Sequence, residues 1–234
     1  MRVPPEFVLH VAGNGRRVVA PPDLLPTLLE AGIDRPEKLL RERPAGPGTG
    51  RGPRAVVELP GGERVLVKQY LRGGALARVN RERYAGAGRF FRELAVGARL
   101  RELGLPVGEV RAVVLEGRPP LLRVFGVARF VPEAPDLARW FTELVADRDE
   151  ASRLWRAALA LVDRFHDAGL LHPDLNLGNL LARREGRRFD LWLVDLDRAR
   201  LLPGGLGEGL RAAGKERLAR SYRKIVGEEP PTPD

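Results

Sequence analysis

Between Ala151 and Asp197 a long amphipathic helix, a polar loop and an apolar strand ending on acid follow one another, and this order limits the fold more tightly than any other stretch. Leu154, Ala158, Leu161, Val162 and Phe165 recur at helical spacing, with Asp149 as the expected cap and Gly169 as the stop. Leu170–Leu181 reads as a polar loop in an apolar frame. Phe189–Val194 reads as a short buried strand running into Asp195-Leu-Asp197-Arg198.

The loop carries His172-Pro-Asp174-Leu-Asn176-Leu-Gly-Asn179. Phosphoryl transfer from ATP needs a group that orients the attacking hydroxyl and accepts its proton. It also needs hard oxygen ligands for magnesium, which neutralises the phosphate oxygens. An Asp followed five positions later by an Asn, with a second Asp closing a nearby strand, supplies all of these. Asp174 is read as the base, and Asn179 and Asp195 as the metal ligands. His172 is read as a brace for the loop and His166 as structural.

The upstream half reads as strands. Ala55–Leu59 and Arg64–Tyr70 form a hairpin across Pro60-Gly61-Gly62-Glu63, and Val110–Leu115 and Leu121–Phe130 follow a helix over Arg89–Leu103 that Gly104 stops. Lys68 falls on the second strand. Only four of the 40 basic residues are lysine, so its presence there is informative. A compact ammonium suits a phosphate contact. Glu93, on the next well-patterned helix, is the expected partner, with Glu82 as the rival. Gly50 and Gly52, in a Gly/Pro run reaching back to Gly46, are read as a loop whose backbone N–H groups meet phosphate. Ahead of it lie two short helices, near Leu24–Leu29 and Pro36–Arg41.

Composition narrows the remaining choices. The chain has 234 residues, 44% of them hydrophobic, which is enough for a substantial core. It has no cysteine, which excludes disulfides, thiolate metal sites and a cysteine nucleophile. No apolar run approaches a membrane span, and the first residues lack the apolar centre of a signal peptide, so a soluble or peripheral cytoplasmic protein is expected. The net charge of +9 suits an anionic partner. A nucleic-acid binder or silent scaffold is the reading from another class. Aromatic residues make up only 6% and no stacking platform or recognition motif is visible, so nucleic acid is not expected as a partner. The basic tail (Arg211, Lys215, Arg217, Arg220, Arg223, Lys224) reads as a helix over Gly209–Val226. It is more readily an ordinary solvated helix than a membrane-binding one, since Leu210, Leu218 and Ile225 form only a thin apolar stripe.

The H-x-D-x-x-x-x-N loop followed by a strand ending in Asp resembles the protein kinase-like catalytic centre, with Asp-Leu-Asp where that pattern has D-F-G. The chain after Asp195 shows no Ala-Pro-Glu segment, which points away from a protein-substrate kinase. Further stretches are Val67-Lys-Gln-Tyr-Leu-Arg-Gly-Gly74, Arg81-Glu-Arg-Tyr84, Phe91-Arg-Glu93, Gly104-Leu-Pro-Val107 and Phe165-His-Asp-Ala-Gly169. With the His172–Asn179 and Val194–Arg198 segments they resemble the lipopolysaccharide core kinases. The 3-deoxy-D-manno-octulosonic acid (Kdo) kinases fit best, and the heptose kinases are relatives. The likeness covers about residues 50–200.

That resemblance implies an α+β, two-lobed protein kinase-like fold with a small β-rich N-lobe holding one helix and a mainly helical C-lobe. The expected bounds are 1–45 for an N-terminal extension, 46–130 for the nucleotide-binding N-lobe and 131–234 for the catalytic C-lobe, with Val131–Asp136 as connector. It implies ATP and Mg2+ as cofactors and phosphorylation of a sugar hydroxyl on Kdo–lipid A. The substrate would then be an acidic glycolipid, met by a peripheral protein on the cytoplasmic side of the bacterial inner membrane. A kinase of another small sugar or an aminoglycoside-like substrate remains the alternative.

Overall fold

The computed structural model describes residues 3–45, 52–71, 82–131 and 134–232. Two compact units emerge: residues 1–98 with 109–130, and residues 99–108 with 131–234.

The first unit opens with the hairpin β1 (Val8–Val11) and β2 (Arg17–Ala20), then α1 (Leu25–Glu30) and α2 (Pro36–Glu42). Proline sits in the first turn of both helices, where its missing N–H costs nothing. The expected hairpin follows as β3 (Arg54–Glu58) and β4 (Arg64–Gln69). Next come the short β5 (Arg83–Tyr84) and the helix α3 (Gly88–Glu102). Beyond β6 (Val107–Gly108), which belongs to the second unit, β7 (Val110–Glu116) and β8 (Leu122–Arg129) complete the sheet.

The sheet runs β1-β2-β7-β8-β4-β3, with β5 added beside β8, and its pairings are antiparallel. Strand alternation gives it two apolar faces. Val19, Val113, Leu115 and Val124 pack with Phe90, Phe91 and Leu94 of α3. Val18, Val65, Val67, Val114, Phe125 and Val127 pack with Leu28, Ile33, Leu39 and Leu40 of the N-terminal segment. Here the structure departs from the expected bounds. Residues 8–45 are not a separate extension, because β2 pairs with β7 and α1 and α2 cover a sheet face that would otherwise meet water.

In the second unit α4 (Leu137–Arg139) continues into a π-helical turn at Trp140–Leu144. The long helix α5 (Arg148–Asp167) begins one turn earlier than expected. Asp147, not Asp149, caps it, its carboxylate accepting the Glu150 N–H at 2.7 Å. Gly169 follows the helix end with φ 82°, as a stop glycine should. Then come β9 (Leu170–Leu171), a 3-10 turn at Leu177–Asn179, β10 (Leu180–Glu185), β11 (Arg188–Val194), β12 (Arg200–Leu201) and α6 (Glu208–Val226). β10, β11 and β6 form one small sheet, and β12 pairs with β9. Trp155 of α5, Tyr222 of α6 and Phe141 make an edge-to-face cluster with centroids 4.8–6.2 Å apart, which fastens α6 to α5.

Candidate functional site

The loop over 172–179 is organised by one imidazole. His172 is buried, and its Nδ1 accepts the Asp174 backbone N–H at 3.2 Å. That leaves Nε2 to carry the proton and donate to the Asp195 carbonyl at 2.9 Å. Burial pushes the imidazole below its ordinary pKa, against the raising effect of the Asp195 carbonyl and the two nearby carboxylates. The neutral Nε2–H form is also what the geometry requires, since a second ring proton would face the Asp174 N–H. His172 therefore ties the start of the loop to the end of β11.

Three further bonds shape the loop. Asn179 Nδ2 donates to the Asp174 carbonyl at 2.8 Å, Asn176 Nδ2 donates to Asp174 Oδ1 at 3.1 Å, and Asn176 Oδ1 accepts the Gly178 N–H at 2.9 Å. From α6, the Ser221 hydroxyl accepts the Leu177 N–H at 3.2 Å. With its backbone so occupied, the loop presents Asp174 to solvent. Asp195 is exposed too and has φ 61°, a left-handed conformation unfavourable for a side chain with a Cβ. Such conformations persist where surrounding bonds over-determine them, and they cluster at functional sites.

The donor chemistry suits magnesium. The Asn179 amide nitrogen is spent on the loop, which leaves its oxygen as a hard donor, and Asp195 adds an exposed carboxylate. Among the described residues no group of three or more His, Asp or Glu side chains gathers as a metal site.

In the first unit Lys68 lies half-buried on β4, and alternation puts it on the same sheet face as Tyr70 and α3. Glu93, on α3, is 2% exposed and accepts the Tyr70 hydroxyl at 2.7 Å through Oε2. Lys68 Nζ is 5.0 Å from the Tyr70 ring centre. Glu82, the rival, is exposed and lies 3.4 Å from Arg123. Gly52 has φ 109°, and a Cβ there would come within 2.9 Å of Leu71 Cδ1. Gly50 and the glycines before it to Gly46 lie outside the described residues.

Thus Lys68 and Glu93 are gathered about Tyr70, and Asp174, Asn179 and Asp195 about His172. The sequence reading passed over Tyr70, Asn176, Ser221 and Gly126. A glycine interrupting the apolar run Val124-Phe-Gly-Val-Ala128 is itself a sign of close approach in a strand, and it could have drawn attention to what stands against it.

Of the basic residues of α6, Arg211 pairs with Asp167 at 2.7 Å, Lys215 with Asp163 at 2.7 Å and Arg223 with Glu229 at 3.2 Å, while Leu218 is buried. No helix among the described residues is long and apolar enough to cross a membrane.

Comparison with known proteins gives the family. The model of the lipopolysaccharide kinase (Kdo/WaaP) family matches residues 40–222. A 3-deoxy-D-manno-octulosonic acid kinase of Xanthomonas oryzae pv. oryzae is 37% identical over 199 residues, covering 80% of this chain and 72% of that protein. One from Haemophilus influenzae is 29% identical over 194 residues, covering 80% and 78%. Among solved structures, WaaP in complex with acyl carrier protein superposes with a TM-score of 0.55 at 20% identity, over 87% of this chain and 80% of that one, and supports the protein kinase-like fold. The chain belongs to the lipopolysaccharide kinase (Kdo/WaaP) family, and is a phosphotransferase acting on a sugar hydroxyl in the building of the lipopolysaccharide inner core.

Proposed function

We propose that the acceptor is a Kdo hydroxyl of Kdo–lipid A and the donor ATP. The observation that carries this reading is the His172-centred frame, which leaves one exposed carboxylate on the loop and another at the strand end, in a chain whose relatives are named Kdo kinases. Asp174 accepts the proton of the attacking hydroxyl. Its carboxylate is oriented by the Asn176 amide, so the base meets the hydroxyl in a set direction. Asn179 Oδ1 and the Asp195 carboxylate would hold magnesium, which when bound neutralises phosphate oxygens. Lys68, organised with Glu93, contacts the nucleotide phosphates, and the backbone N–H of Gly52 faces them. An acidic glycolipid substrate favours peripheral contact with the cytoplasmic face of the inner membrane, to which a net charge of +9 is suited.

The deciding experiment offers ATP with Kdo-bearing lipid A precursors, lipid A lacking Kdo, heptose-containing core and an aminoglycoside. ADP release is followed and the product is located by mass spectrometry. Phosphate on Kdo, with no turnover on Kdo-free lipid A, is the expected result. Transfer to heptose or to the aminoglycoside with none to Kdo overturns the proposed acceptor while keeping the phosphotransferase.

A further inference from the structure

The Tyr70 ring is held independently of the charged groups on either side of it. It is 7% exposed and packs against Phe90 with ring centroids 4.6 Å apart. Gly126 of β8 stands directly opposite Lys68 in the sheet register. A Cβ on Gly126 would come within 2.8 Å of Tyr70 Cε2 and 3.0 Å of its hydroxyl, so the ring occupies space that any larger residue would take. Packing thus places the ring, and the ring then meets two charges. Its hydroxyl donates to buried Glu93 at 2.7 Å, and Lys68 Nζ lies 5.0 Å from its centre.

Each contact has a physical consequence. A carboxylate removed from water needs hydrogen-bond donors, and a phenol supplies one without cancelling the charge. An aromatic face attracts an ammonium through its quadrupole, yet uses up none of the three N–H donors in a conventional hydrogen bond.

We propose that Tyr70 is a positioning residue for the nucleotide anchor, fixing the Glu93 carboxylate with its hydroxyl and steadying the Lys68 ammonium on its ring face. This rests on the reading of Lys68 as the phosphate contact.

The four lysines make the test direct. Protein labelled with 13C at lysine Cε gives four signals, which are recorded without nucleotide and then with Mg-ATP. ATP affinity is titrated in parallel for wild type, Tyr70→Phe, Tyr70→Leu and Lys68→Met. The Lys68 signal, identified by its loss in Lys68→Met, is expected upfield in wild type through the ring current. It should return to the range of the other lysines in Tyr70→Leu. Tyr70→Phe keeps the ring and loses the hydroxyl, so it should weaken ATP binding about 10- to 150-fold, the scale of one lost bond to a charged group. Acceptor KM should stay near wild type.

Wild-type ATP affinity in Tyr70→Phe, or an unshifted Lys68 signal, overturns the proposal, as does a Tyr70→Phe loss that falls equally on ATP and acceptor. If Lys68→Met weakens ATP while Tyr70→Phe does not, Tyr70 alone is misread. If Lys68→Met binds ATP like wild type, the reading of Lys68 falls and this proposal falls with it. Should Tyr70→Leu fail to fold, the Tyr70→Phe arm decides.

Discussion

Glu93 is 2% exposed, on a helix whose Phe90, Phe91 and Leu94 belong to the core, whereas Asp174 stands in solvent on a loop shaped by hydrogen bonds to its backbone. The first group is placed by packing: ring against ring, and a glycine where a strand must make room. The second is placed by polar bonds from His172, Asn176 and Asn179. A group placed by packing has little freedom and a high cost of change. A group on a bonded loop can leave its carboxylate exposed for chemistry while its backbone stays still. The difference lies in what each group is proposed to meet. A nucleotide anchor must hold one position, while a catalytic base must be reached by its substrate.

That contrast is most sharply broken at Asp174. Asp174→Ala removes the proposed base without touching the packed cluster. Turnover should fall by about 10²–10⁴, the usual scale for general-base catalysis, while ATP affinity and thermal midpoint remain near wild type. Parallel ADP-release and nucleotide-titration measurements check both halves. Full turnover would remove Asp174 from the mechanism.

Gly126→Ala tests the packed side. The new Cβ meets the Tyr70 ring, and overfilling of this kind costs about 1–3 kcal/mol. Urea denaturation should show that loss. ATP affinity should fall further than acceptor affinity, because the displaced ring carries both charges with it. An unchanged midpoint would mean that the ring moves freely, against the packing account.

The smallest effect concerns the imidazole of the loop. Burial lowers the His172 pKa, so the unfolded chain takes up a proton at a pH where the native loop resists it. The associated stability is therefore present above about pH 6.5 and is lost as pH falls below it. His166, also lowered chiefly by burial and faced by Asp163, Arg211, Lys215 and Arg217, contributes in the same direction. Denaturation at pH 7.5 and pH 5.5 should show wild type weakening on acidification, with a shallower dependence in His172→Gln. An identical slope would show that the loop histidine does not resist protonation.

Much of this was readable without coordinates. The strands around Lys68, the helix of Glu93, the long helix before the loop and the strand after it all lie within a residue or a few of where periodicity puts them, because each is amphipathic or apolar enough to declare its own period. The small strands β5, β6, β9 and β12 were missed, since two residues carry no period. β10 was missed because Leu-Leu-Ala-Arg-Arg-Glu becomes a strand only beside β11. The cap at Asp147 lost to Asp149 because either acid fits a local pattern, and the choice depends on where the preceding chain enters the helix.

Residue types and spacing alone determined the chemistry on offer: a loop with a carboxylate and an amide five apart, a strand ending in acid, and a rare lysine on another strand. Local sequence suffices there because a catalytic loop is short and its members are neighbours along the chain. Only the tertiary structure decided that residues 8–45 complete the sheet, that His172 bonds both acids' backbones, and that Tyr70 stands with Lys68 and Glu93 against Gly126. These depend on contacts between residues far apart in the chain, made through packing and burial, and no local pattern encodes which distant surface a side chain will meet.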